Sequence, residues 1–160
     1  MRIVGVDPGY QRTGYAVLEA SRERKAVLVE SGVFETSADD PFPMRLIQTR
    51  DALREVIERL EPTELSLEEL FWSKNVKTAI AVAQARGVLM LTASEMGLEV
   101  AEYSPTVLKL GLTGSGNADK GQVKYMVEQM LSLPEAKRLD DEYDAIALAL
   151  LHAIQKGLML

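Results

Sequence analysis

The sequence predicts an α/β domain built on one five-stranded mixed sheet with helices on both faces. Three observations predict it. Three strand-like runs follow one another closely from the first residues, spaced for antiparallel pairing. Two later strand-like runs are each reached through a helical pattern long enough for a crossover, which makes them parallel to the first. The rest of the chain is helical, and nothing repeats.

Element by element, residues 2–7 form an apolar run closed by Asp7, and Pro8-Gly9-Tyr10-Gln11-Arg12 is a turn. Thr13 to Leu18 and Lys25 to Phe34 are the second and third strands, joined by a polar hairpin region. Ser37 to Pro43 is a loop. Leu46, Leu53, Val56, Ile57 and Leu60 make an apolar stripe on a helix from Met44 to Leu60, stopped by Pro62. Leu65 to Leu70 is the fourth strand. Asn75 is suited to cap a long helix from Val76 to Met96, rich in small residues and ended by Gly97. Leu98 to Tyr103 is the fifth strand. Ser104-Pro105 opens a short helix, and Asp119 with Gln122 resembles a capping box for a helix from Lys120 to Leu131. Pro134 to Asp140 is a loop. The last helix runs from Asp141 to Gln155, with Asp140 as its expected N-cap and Gly157 at its end.

A chain of 160 residues is one domain by default, so residues 1–160 are read as a single unit with a sizeable core. The hydrophobic share of 47% and charged share of 26% are those of an ordinary globular domain. Without cysteine there is no thiol nucleophile, disulfide or cysteine-bound zinc, and the single histidine, His152, rules out a multi-histidine site. His152 sits deep in the last helix and reads as a packing residue. No apolar stretch reaches the roughly 18 residues of a membrane span, and there is no signal-peptide pattern, so the expected location is cytoplasmic. The net charge of −6 argues against a polyanionic partner, but its distribution does not: Leu70 to Val127 holds six basic residues and four acids.

Four acids stand where a metal site would want them. Asp7 and Glu68 each close an apolar run, and the C-terminal tips of parallel strands are where open α/β sheets gather ligand sites. Asp141 and Asp144, at i and i+3, face one side of a helix. Each has an ordinary reading alone: Asp7 as a turn starter, Glu68 as a surface charge, the helical pair as an offset to the helix dipole. Glu69 competes with Glu68, since strand neighbours point to opposite faces and periodicity does not choose between them. Two carboxylates 4 Å apart repel by about 4 kcal/mol at an effective dielectric near 20. Four in one pocket therefore call for a cation, and hard oxygen donors suit Mg²⁺ or Mn²⁺.

The same residues carry a resemblance. Ile3-Val4-Gly5-Val6-Asp7-Pro8-Gly9 with Thr13-Gly14-Tyr15 resembles the opening of the RuvC family of Holliday-junction resolvases. Leu67-Glu68-Glu69-Leu70-Phe71 with Lys74-Asn75 resembles its second acidic block, and Gln84-Ala85-Arg86-Gly87 its helix signature. Lys109, the Gly114-Ser115-Gly116 loop and Lys120 match as well, as does Asp141-Glu142-Tyr143-Asp144-Ala145-Ile146-Ala147 near the end. The blocks span nearly the whole chain in order. Trp72 departs from the pattern, where a smaller apolar residue is expected.

The resemblance implies a ribonuclease-H-like fold and metal-dependent, paired cleavage of four-way DNA junctions in recombination and repair. It favours Glu68 over Glu69 and Asp141 over Asp140. It implies two Mg²⁺ or Mn²⁺ ions per site held by Asp7, Glu68, Asp141 and Asp144, with Asp7 bridging them. It also implies a homodimer, with the Ala-rich helix in the contact, and branch-migration motor proteins as partners. Phe71 is the implied wedge into the junction centre, where stacking on an unpaired base is worth roughly 1–3 kcal/mol. Lys74, Lys77, Lys109 and Lys120 are the expected DNA contacts, and Arg86 is expected either on phosphate or paired with an acid inside the fold. A strand ending in Asp-x-Gly also opens actin-like kinases, but those need two such domains and further phosphate loops.

Overall fold

The structure, a computed structural model, describes residues 1–69, 76–133 and 137–158, the side chains of 76 and 77 excepted. In chain order the elements are β1 (Arg2–Asp7), β2 (Arg12–Glu19), β3 (Val27–Glu35), α1 (Phe42–Leu60), β4 (Glu64–Glu68), α2 (Val76–Glu95), β5 (Glu99–Tyr103), α3 (Pro105–Thr113), α4 (Lys120–Leu131) and α5 (Asp140–Gln155). The sheet order is β3-β2-β1-β4-β5. The β1–β2 and β2–β3 pairs are antiparallel, and the β1–β4 and β4–β5 pairs parallel, as the spacing predicts.

Strand alternation divides the core in two. Val4, Val6, Val17, Leu65 and Leu67 face one side and pack with Leu53, Val56 and Ile57 of α1 and Leu89 and Ala93 of α2. Ile3, Ala16 and Leu18 face the other and pack with Ala145, Ile146, Ala149 and Leu150 of α5 and with Val123 and Val127 of α4. Helix α5 lies directly on the sheet. A Cβ on Gly5 would stand 2.1 Å from the Ala145 carbonyl oxygen, and one on Gly14 would stand 2.0 Å from that of Asp141. Only glycine allows this approach, a use that a glycine inside a strand often signals.

Several ends differ from expectation. Helix α1 begins at Phe42, with Pro41 before it and Pro43 in its first turn, where a proline's missing N–H is no loss. Strand β4 stops at Glu68 rather than Leu70, and the Asn75 cap lies outside the described residues. Asp140 is not the N-cap of α5. Leu139 holds that position, without a side-chain cap bond, and Asp140 is the first helical residue, where its charge still offsets the dipole. The capping box of α4 is present: Asp119 accepts from the Gln122 N–H at 2.9 Å while Gln122 accepts from the Asp119 N–H at 2.9 Å. Among the described residues no helix is long and apolar enough to cross a membrane.

Candidate active site

Asp7, at the tip of β1, and Glu68, at the tip of β4, sit side by side because the two strands are parallel neighbours. Helix α5 lays Asp144 across them, held at that height by the two glycine contacts below it. Asp7, Glu68 and Asp144 line one cavity of about 280 Å³ together with Lys109 from α3 and Lys120 from the first turn of α4. Glu68 rather than Glu69 enters the cavity, since Glu69 is exposed and its N–H bonds the Tyr103 carbonyl at 2.8 Å.

The electrostatics reflect this crowding. Burial, then repulsion from Asp144, Glu68 and Asp141, pushes the Asp7 carboxyl from 3.8 up to about 7, with Lys120 as a partial offset. Burial and Asp144 also raise Glu68, against Lys120 and Lys109. Lys120 donates to Asp144 at 3.1 Å, and that bond holds its ammonium above the ordinary lysine range. Asp141 contributes to the field on Asp7 but does not line the cavity. It is paired with Arg12, the first residue of β2, in a second cavity alongside. Asp140 is exposed and acts on the site through Lys120.

Among the described residues no three acids or imidazoles form a finished metal cage. The donor set nevertheless fits a hard divalent cation: three carboxylates share a cavity, and burial together with its like-charged neighbours makes Asp7 harder to ionise without a positive partner. Two of the four acids are neutralised meanwhile by basic side chains, Asp144 by Lys120 and Asp141 by Arg12.

The expected DNA contacts are distributed unevenly. Lys109 and Lys120 are at the acids. Arg86 is engaged within the fold, donating to the Glu68 carbonyl at 3.0 Å and pairing with Glu102, so it braces the strand end that carries Glu68. Phe71 and Lys74 lie outside the described residues, as does the side chain of Lys77. Sequence reading missed Arg12, for which no local pattern gives a signal, and the positioning role of Gly5 and Gly14, for which a glycine within a strand is a usable one. His152 is more than a packing residue. Its Nδ1 meets the Tyr103 hydroxyl at 2.5 Å and its Nε2 meets Glu64 at 2.5 Å.

Comparison with known proteins gives a consistent result. The family model described as "Crossover junction endodeoxyribonuclease RuvC" matches residues 3–152. A protein of that name from Moorella thermoacetica is 45% identical over 153 residues, covering 96% of this chain and 91% of its own. The structure of T. thermophilus RuvC in complex with a Holliday junction substrate superposes with a TM-score of 0.91 at 34% identity, covering 98% of this chain and 94% of that one. The yeast mitochondrial Holliday junction resolvase Ydc2, at 11% identity and a TM-score of 0.66 over 93% of this chain and 76% of its own, shares the fold.

Proposed function

The chain belongs to the RuvC family of crossover junction endodeoxyribonucleases, and from that premise we propose how its residues resolve a four-way DNA junction. The activity is hydrolysis of phosphodiesters in junction strands, and the family's enzymes depend on metal. The observation that carries the site assignment is Asp7, buried in the joint field of Glu68, Asp141 and Asp144 and sharing its cavity with Asp144, Glu68 and two lysines.

In this reading Asp7, Glu68 and Asp144 would hold two Mg²⁺ or Mn²⁺ ions, with Asp141 completing the set. When bound, such ions supply a nucleophilic water at neutral pH and neutralise charge on the scissile phosphate and the leaving oxygen. The protein supplies the rest. Asp7 and Glu68 are fixed on adjacent strand tips, so their separation is set by sheet geometry rather than by a mobile loop. Asp144 is fixed by the seating of α5 on Gly5 and Gly14. Lys109 and Lys120 bring positive charge to the cavity, where a DNA phosphate would otherwise meet only carboxylates. Among the described residues, the polar lining of the cavity is carboxylate and lysine, without a hydroxyl or thiol nucleophile beside a base.

Cutting both opposed strands calls for two such sites, hence a homodimer. Supporting this, α2 exposes Ile80 and Leu91, at 56% and 60%, in line with Ala83 and Gly87, and Met44 and Ile47 of the adjoining α1 are also exposed. Phe71 is assigned the wedge at the junction centre, and Lys74 and Lys77 the backbone contacts, on the family resemblance, while Arg86, engaged with the Glu68 carbonyl and Glu102, braces the strand end instead. The enzyme works in the cytoplasm alongside branch-migration motors.

The deciding experiment compares cleavage of a synthetic four-way junction, linear duplex and RNA–DNA hybrid, with Mg²⁺ and with EDTA. Junction-selective, paired, Mg²⁺-dependent cuts are expected. Equal cutting of linear duplex or hybrid would overturn the assignment.

A further inference from the structure

We propose that Arg12 sets how readily the acid site takes up a divalent cation, by holding Asp141 in an ion pair that the cation must displace. The inference rests on the metal-site reading above. Of the four acids, Asp141 is the one that does not line the cavity shared by Asp7, Glu68 and Asp144, and the residue it faces instead is Arg12. Asp141 lies on the same face of α5 as Asp144, three residues before it, so rotation of its side chain away from Arg12 turns it toward the cavity that Asp144 lines.

Arg12 is placed by the backbone. It follows the Pro8–Gln11 turn, which is pinned from below by Arg45, a buried guanidinium that donates to the Tyr10 carbonyl and to the Thr36 hydroxyl and lies 4.4 Å over the Tyr10 ring. Across from it, Gly14 seats the Asp141 backbone on β2. Both partners therefore hang from fixed backbone, and only side-chain rotation separates them. The pair is half-exposed, at 41% and 26%, so water screens it and a directly coordinated divalent ion outcompetes it. Lys120 differs. It acts on Asp7 and Glu68 as well as on Asp144, so its charge stays within the site whatever Asp144 does.

Linkage is reciprocal: if Arg12 weakens cation binding by occupying Asp141, cation binding weakens the hold of Asp141 on Arg12 by the same factor. The freed guanidinium then borders a cavity of about 540 Å³ lined by Gly9, Tyr10, Gln11 and Thr36, with the carboxylates of Glu35 and Asp141 at it as well, so Arg12 is the group there that can take an anion. A planar five-donor group there suits a phosphate oxygen pair. Metal arrival thus exchanges the carboxylate partner of Arg12 for a backbone phosphate of the substrate.

The test measures Mn²⁺ binding to the full chain without DNA, by titration calorimetry, so that activity is not the readout. Arg12→Gln should tighten the dissociation constant about three- to fivefold, the most that a half-exposed pair carries. Arg12→Lys, which keeps the charge, should stay within about twofold of the parent. In an Asp141→Asn background the Arg12→Gln change should have no further effect. An unchanged constant for Arg12→Gln, or the same tightening in the Asp141→Asn background, overturns the inference, the second because it would show general charge repulsion. Asp7→Asn separates the two levels: if that variant binds Mn²⁺ as tightly as the parent, the site reading fails and the Arg12 inference with it. If it loses binding while Arg12→Gln is silent, the Arg12 inference alone fails.

Discussion

Glu64 and Glu68 stand four residues apart on the same face of β4, and helix α5 passes both, yet the two ends of that strand are opposites. Glu64 is 5% exposed and meets His152 and Lys156, both from the C-terminal end of α5 and the turn after it. Burial alone would raise its carboxyl, but the hydrogen bonds from Lys156 and His152 outweigh that and hold it below the ordinary range. At the other end Glu68 meets Asp7 and Asp144, and its carboxyl is raised. Between them the hydroxyl of Ser66 is buried without a hydrogen bond to any of the described residues. One strand and one helix thus carry a satisfied network at one end and a frustrated cluster at the other. The first anchors the helix; the second holds like charges together, which is useful only where something positive is to be bound.

That contrast can be broken from either side. The largest expected effect is on chemistry: Asp7→Asn should lower single-turnover junction cleavage at least about a thousandfold, since in the proposed site Asp7 would hold a cation worth several kcal/mol to the transition state. Junction affinity measured by gel shift in Ca²⁺ or EDTA should stay near that of the parent. Cleavage within tenfold of the parent at saturating Mg²⁺ would remove Asp7 from the site.

Next comes the anchoring end. Glu64→Ala leaves the buried His152 ring without its carboxylate, while Lys156 keeps Glu99, and should cost about 1–3 kcal/mol in urea unfolding, as leaving a buried polar group unpaired does. A loss below about 1 kcal/mol would show that Glu64 is ordinary strand surface.

Gly14→Ala acts on the link between the two ends. Its Cβ would collide with the Asp141 carbonyl oxygen, so α5 must lift at its N-terminal turn. A stability loss of about 3 kcal/mol is expected, with cleavage falling further than junction binding because Asp141 and Asp144 move from Asp7. Unchanged cleavage with unchanged stability would mean that the helix is not seated by this contact.

The smallest effect is the most diagnostic, because the two ends respond to pH with opposite signs. Asp7 has a folded value raised to about 7 from 3.8, so the folded state binds its proton more tightly than the unfolded chain. The stability associated with that proton is fully present below about 4 and is lost as pH rises through 7. Glu64, held below 4.5, contributes stability that is present above its ordinary value and lost as pH falls through the folded one. In EDTA, Asp7→Asn should therefore gain about 2 kcal/mol over the parent at pH 8, after allowance for solvent and relaxation, and nothing at pH 4. A melting temperature at pH 8 that falls on this substitution would count against stored repulsion at the site.

The order of the strands, the parallel and antiparallel pairs and the capping box at Asp119 were legible because each depends on residues near one another in the chain: alternation, spacing and cap chemistry. Asp7 and Glu68 were legible for a related reason, since an acid closing an apolar run marks a strand tip. Asp140 was misread as a cap because Asp and Leu139 both border the helix start, and local preference does not decide which residue takes it. Which groups partner Arg12, Arg86 and His152 was not legible, although an acid inside the fold was one of the two expectations for Arg86. They come from 129, 16 and 88 positions away, across the sheet or over the top of it.

The sequence alone therefore determined the architecture and the family, because those are written in short-range pattern and in motif. Tertiary structure decided which acids share a cavity, which basic side chains neutralise two of them, and why one carboxylate of β4 is anchored while the other is repelled. Those outcomes depend on through-space distances of a few ångströms, set by how close two glycines let α5 come to the sheet.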